Sequence, residues 1–293
     1  MLGKIITIVL YLGVIFYLGY KGWKETMKAP DYMLAGRQMN PLVMAFSYGA
    51  TFISTSAIIG FGGAAGMFGF SLLWLTFANI FIGVFLAMIF FGKRTRRMGL
   101  ALNSLTFPEL LGRRYDSRFI QGFSGLVIFI FIPVYSAAVL IGISRMIEVS
   151  LHIPYDLILV LVTLILGVYV ITGGLKAVMY TDSFQGMIMV LMMVILLLHT
   201  YSLLGGVIPG HQALTDMAHL MPDKLQKGGM QGWTQGAEFG TPLWLTIYTT
   251  IVYGVGIGVL AQPQLAIRFM TVSTDRELNR AILYGGVFIL LMT

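Results

Sequence analysis

The sequence predicts an all-α polytopic membrane protein. Of its 293 residues 57% are hydrophobic and only 11% charged, against about 25% charged in an ordinary soluble domain. The apolar residues fall in runs of about 20, the length that crosses a hydrocarbon core. The basic residues collect in alternate connections between those runs. The mean hydropathy of +0.85 agrees. Soluble enzyme classes drop out. With no cysteine, a disulfide framework and a thiolate metal site drop out too.

Taken in order, residues 2–20 read as a first membrane helix, since Lys21 and Gly22 follow without a small-residue cleavage pattern. Helices 2 to 4 are expected at 41–67, 71–92 and 119–144. Helices 5 to 7 are expected at 155–172, 183–205 and 242–262. An eighth begins near Arg280 and reaches Thr293, about 20 Å of helix and too short to cross. The chain is therefore expected to be part of something longer.

Basic residues set the expected orientation. With the N-terminus outside, Lys4, Arg145, Lys224 and Lys227 are outer, and the other 15 of the 19 Lys and Arg are inner. The net charge of +7 then faces anionic lipid and not nucleic acid. In the inner loop 93–118, Thr106 and Glu109 have capping-box spacing, and a surface helix PELLGRRY is expected after them. Residues 173–182 read as a tight inner loop, with Asp182 and Gln185 spaced as cap and third residue of helix 6. The outer stretch 206–241, rich in Gly, Gln and Pro, reads as a lid or a disordered connector.

Helix 2 is unusual. PLVMAFSYGATFISTSAIIGFGGAAGMFGF carries no charge, yet Gly49, Gly60, Gly62, Gly63, Gly66 and Gly69 punctuate it, and Ser47, Thr51, Ser54, Thr55 and Ser56 crowd its first half. A backbone group without a partner in lipid costs several kcal/mol, so a helix that breaks there must be buried or line a wet cavity. Close packing of small residues is the alternative. Helix 7 is interrupted in its turn by Gly254, Gly256 and Gly258 and ends at Gln262–Pro263. It runs opposite to helix 2, four crossings later. Paired interrupted spans of opposite direction predict an inverted repeat of five helices with a solute site at mid-membrane. The expected divisions are 1–40 (leading helix and inner loop), 41–205 (first repeat), 206–241 (outer loop) and 242–293 (start of the second repeat).

Four stretches extend this reading: DYMLAGRQMNPLVMAFSYGATFISTSAIIGFGGAAGMFGF (31–70), LTFPELLGRRYDSR (105–118), ITGGLKAVMYTDSFQGMIM (171–189) and AQPQLAIRFMT (261–271). In them the chain resembles the sodium/solute symporter family, which includes proline, pantothenate, monocarboxylate and sugar symporters. The resemblance implies a LeuT-like inverted-repeat fold, here truncated in the second repeat. It implies sodium-coupled symport of a small organic solute, of carboxylate or amino-acid type, by alternating access in the plasma membrane. Sodium is then the coupling ion, and no other cofactor is expected.

The resemblance also names residues. Main-chain carbonyls of Ala50 and Ile53, with the Ser54 hydroxyl, are expected to hold sodium, a hard cation that wants oxygen ligands. Ser54, Thr55, Tyr253, Gly254, Gly256 and Gln262 are expected to face solute. The alternatives are hydroxyls that bond back to their own helix and a packing aromatic at Tyr253. Asp182 lies on the inner cation path by the resemblance and caps helix 6 by its spacing. Phe52 stands where the proline branch carries a carboxylate, and Val255 and Val259 stand where it carries aromatics. Without an H-E-x-x-H motif or an intramembrane carboxylate pair, zinc chemistry and proton relays have no constellation. A proton-coupled or uncoupled transporter of the same fold, or a non-transporting fragment or sensor, remains the alternative.

Overall fold

The computed structural model describes residues 2–84, 86–255 and 262–292. Every regular element among them is helical. The chain opens with α1 (Leu2–Lys24) and a short α2 (Ala29–Leu34). Helix 2 of the sequence is two helices, α3 (Pro41–Phe52) and α4 (Thr55–Phe68). α5 (Leu73–Ala78) follows and continues in wide π turns over Asn79–Val84 and Ala87–Gly92. Next come α6 (Lys93–Ala101), α7 (Phe107–Arg114), α8 (Arg118–Leu151) and α9 (Tyr155–Leu203). α10 (Val207–Asp216), α11 (Asp223–Lys227) and α12 (Pro242–Leu245) lead into further wide turns over Thr246–Tyr253. α13 (Pro263–Ala266), a 3₁₀ turn at Ile267–Met270 and α14 (Asp275–Met292) complete the described chain.

Four helical runs among the described residues are long and apolar enough to cross a membrane: Ile6–Lys24, Ala57–Ala101, Arg118–Leu151 and Tyr155–Leu203. Two of them conceal a reversal. At Gly69 (φ 52°, ψ −135°) the chain leaves α4 and returns, so that Met88 is buried in one core with Met44 and Ala45 of α3. In α9 the reversal is at Gly174 (φ 56°, ψ −153°). Both arms of α9 face α1: a Cβ at Gly19 would meet Tyr169, and one at Gly22 would meet Ala177.

That turn corrects the expected inner loop. Residues 175–182 are helical, and Gly174 alone makes the reversal. The preceding segment clamps it. Thr26 Oγ1 donates to the Gly173 carbonyl (3.1 Å), Lys176 Nζ to the Glu25 carbonyl (3.0 Å) and Tyr32 OH to the Ile171 carbonyl (3.2 Å). Asp182 therefore lies well inside a helix and caps nothing. The eighth helix is corrected too: it begins at Asp275 and not near Arg280.

The expected inner loops do gather at one end of the bundle. Arg37 Nη2 donates to the Ser104 carbonyl (2.7 Å), Met39 N–H to the Thr271 carbonyl (2.9 Å) and Arg96 Nη1 to Asp275 (2.6 Å). Hydrogen bonding from Arg97, with Arg96 beside it, holds the Asp275 carboxyl below the usual carboxylate range. The surface helix forms as α7, capped by Thr106, whose Oγ1 accepts from Glu109 N–H (3.2 Å). Glu109 reaches back one residue further than a capping box requires, to Leu105 N–H (2.7 Å).

The core is centred on α3, which packs between α9 and α14. Met44, Ala45 and Tyr48 are fully buried there against Met179, Leu278 and Phe288. By contrast, α8 buries only Ser144. Its Phe119, Phe129 and Phe131 are exposed, which costs nothing where the surroundings are as apolar as leucine.

At the other end the segment 206–241 is no disordered connector. Met221, Met230 and Ala237 are buried with Phe68, Leu72 and Ile247. Trp233 bridges the end of α4. Its carbonyl accepts the Phe70 N–H (2.7 Å), and its indole N–H donates to the Gly66 carbonyl (2.8 Å). Those are the two groups that would bond each other were the helix to continue. Trp233→Ala is expected to loosen this cap by about 1–2 kcal/mol. Hydrogen exchange should speed roughly 10-fold over 206–241 and stay unchanged at Arg96 and Asp275.

Candidate functional site

The break between α3 and α4 falls at Ile53 (φ −84°, ψ 74°) and Ser54 (φ −78°, ψ 171°), not at a glycine. Ser54 causes it. Its side chain accepts from Ala57 N–H (3.4 Å), an N-cap that starts a new helix. Its own N–H turns to the Phe52 carbonyl (3.1 Å). In an unbroken helix the Ser54 amide would serve the Ala50 carbonyl and the Ala57 amide the Ile53 carbonyl. Both carbonyls thus lose their usual helical donor. Ile53 is buried, and the glycines of α4 remain helical.

One turn before the break lies a buried charged cluster. Ser47 and Thr51, four residues apart on α3, donate to the same oxygen of Asp182 in α9 (3.0 and 3.2 Å). Arg268, in the 3₁₀ turn after α13, donates from Nη2 to that oxygen (2.9 Å) and from Nε to Ser47 Oγ (3.0 Å). Its third nitrogen, Nη1, donates to the Gln264 carbonyl (2.5 Å). Arg268 is 3% exposed. Asp182, Ser47, Thr51 and Arg268 therefore join three separate elements around one ion pair.

Beyond the break a cavity of about 440 Å³ runs along α4. Ile53, Ala57 and Phe61 line one wall and Leu75 and Thr76 of α5 face them; Gly69 closes the end under the cap. The volume is in the range of small-molecule sites.

The other expected residues lie elsewhere. Thr55 packs its Cβ and Cγ2 towards Gly142 of α8. Tyr253 is exposed, Gly254 is helical and has open space before it, and neither lines the cavity. Of the expected interruption, Gly254 keeps helical angles. Gly256, Gly258 and Val259 lie outside the described residues. Gln262 precedes α13, and its Oε1 accepts from Gln264 Nε2 (3.3 Å). Arg268 was counted in the sequence only as an inner basic residue. The signal was there: a lone arginine inside the apolar run LAIRFM needs a buried partner.

A family model, the sodium:solute symporter family, matches residues 32–293. The chain belongs to the sodium:solute symporter family. Among the curated relatives that match this chain, the sodium/pantothenate symporter of Haemophilus influenzae is 28% identical over 290 residues. That match takes in 98% of this chain and 57% of the relative. The osmoregulated proline transporter OpuE of Bacillus subtilis is 29% identical over 285 residues, 94% of this chain and 54% of that one. A Staphylococcus aureus sodium/proline symporter is 28% identical over 280 residues, 94% and 51% respectively. The chain spans about half the length of these relatives. Among the described residues no group of three His, Cys, Asp or Glu could hold a metal, but a site built from helix carbonyls requires none.

Proposed function

We propose that this chain forms the first half of a sodium-coupled symporter for a small organic acid or amino acid. The observation that carries this reading is the break at Ile53–Ser54, set beside a cavity in a chain of the sodium:solute symporter family. The Ala50 and Ile53 carbonyls and the Ser54 hydroxyl supply oxygens for sodium. The solute lies beyond them along α4. Asp182, locked to Arg268, sits on the path between the break and the basic end, which faces the cytoplasm with the N-terminus outside. Residues 41–205 act as one repeat of a LeuT-like fold, and 242–293 begin its inverted copy, bringing Tyr253, Gly254, Gly256 and Gln262 towards the solute during the transport cycle. The names of the relatives, pantothenate and proline symporters, support the choice of solute class.

No covalent step is needed. One sodium ion moving down ~100 mV supplies ~2.3 kcal/mol, enough to concentrate a neutral solute about 50-fold. With the intact protein in proteoliposomes, replacing external sodium by choline is expected to cut uptake of labelled proline or pantothenate at least 10-fold. Uptake that ignores sodium and collapses with the pH gradient would establish the proton-coupled alternative instead.

A further inference from the structure

We infer that Ala57 and Thr76 restrict the carrier to solutes with a compact apolar body and exclude polyhydroxylated ones. The inference rests on the symport reading above. The cavity begins at the break, where the backbone offers polar groups, and from there its described lining is almost entirely hydrocarbon. Ala57, in the first turn of α4 just past the break, presents a methyl group. Phe61 comes one turn later, and Leu75 faces them from α5. Of the described side chains in the lining, Thr76 alone carries an oxygen or nitrogen atom, and none is charged.

A solute whose polar end stays at the break therefore puts the rest of itself against apolar atoms. For an aliphatic chain or saturated ring this replaces water by hydrocarbon and favours binding. For a hexose or a cyclitol it removes water from several hydroxyls and returns few partners. Each hydroxyl left unpaired weakens binding by roughly 10-fold. A wall with a single hydroxyl discriminates poorly over one such group, but several compound to orders of magnitude. Ala57 and Thr76 bear on this from two helices: Ala57 stands in the first turn of α4, next to the break, and Thr76 brings the one side-chain hydroxyl of the described lining. Longer polar side chains at those two places would give a sugar its partners.

The test is sodium-22 entry into proteoliposomes holding the intact protein, driven by unlabelled solutes. One set is isovalerate, L-proline and phenylacetate; the other is D-glucose and myo-inositol. At least one member of the first set is expected to accelerate entry 10-fold or more, and neither member of the second. Comparable acceleration by glucose or inositol overturns the inference and leaves symport standing. Failure of every solute to move sodium sinks the symport reading itself. Ala57→Gln is expected to raise the half-saturating concentration of the active solute at least 10-fold, and Ala57→Ser, which is close in size and guards against misfolding, about 3-fold. Unchanged values in both variants overturn the assignment of Ala57 to the site.

Discussion

Replacing Asp182 with alanine is expected to destabilise the intact protein by about 3–5 kcal/mol, because Arg268 is left buried and unpaired. Arg268 has no route to water at 3% exposure, and its Nη2 and Nε are aimed at Asp182 and Ser47. Asp182→Asn keeps an acceptor for Ser47 and Thr51 and should cost less. Removing both charges in Asp182→Ala/Arg268→Met should recover much of the loss, since a buried pair replaced by apolar groups of similar volume is often neutral. Unfolding of purified protein in detergent, followed across this double-mutant cycle, measures the coupling. Strict additivity of the two single losses would mean that the ion pair is not formed.

Gly174→Ala is the second large effect. A φ of 56° with ψ −153° lies in a region essentially reserved for glycine, and a side chain there costs about 1–3 kcal/mol. The added Cβ would also stand 2.6 Å from the Tyr32 carbonyl oxygen and from its ring. Backbone cannot yield as a flexible side chain would, so about 3 kcal/mol is expected. Gly167→Ala, in the preceding arm of α9 with open space before it, is the matched control and should be neutral or slightly stabilising. Thermal aggregation of the two variants in the same detergent separates them; equal midpoints would show that the reversal at Gly174 is not required.

Much of the architecture was legible in the sequence because it rests on a one-dimensional signal. Apolar run length located helices 1 to 6 to within a few residues, apart from the end of helix 4, which runs on to Leu151, and the start of helix 6. Helix 6 started early because Lys176 and Tyr180 find Glu25 on a segment about 150 positions away. Read along the chain, their polarity looks like a loop. Asp182 was misread for the same reason, since its four-group cluster joins α3, α9 and the turn after α13. The connector 206–241 looked unstructured because its buried residues, Met221, Met230 and Ala237, are isolated in sequence and meet only on the end of α4. The break itself was signalled by the crowd of small residues but not placed by it. Glycines permit a helix to stop; the Ser54 cap made it stop.

The two halves of the interrupted span are held very differently. α3 is clamped on both sides by α9 and α14, while Ile58, Ile59 and Met67 of α4 are largely uncovered. Mechanically this is a lever with its short arm fixed in a vice and its fulcrum at Ile53–Ser54. Fourteen residues of α4 make an arm of about 21 Å, so a tilt of about 10° carries the far end through about 4 Å. Trp233 is fastened to that far end. Any tilt of α4 about that fulcrum would carry Trp233 and the segment above the cavity with it, coupling the width of the cavity to the position of its cover.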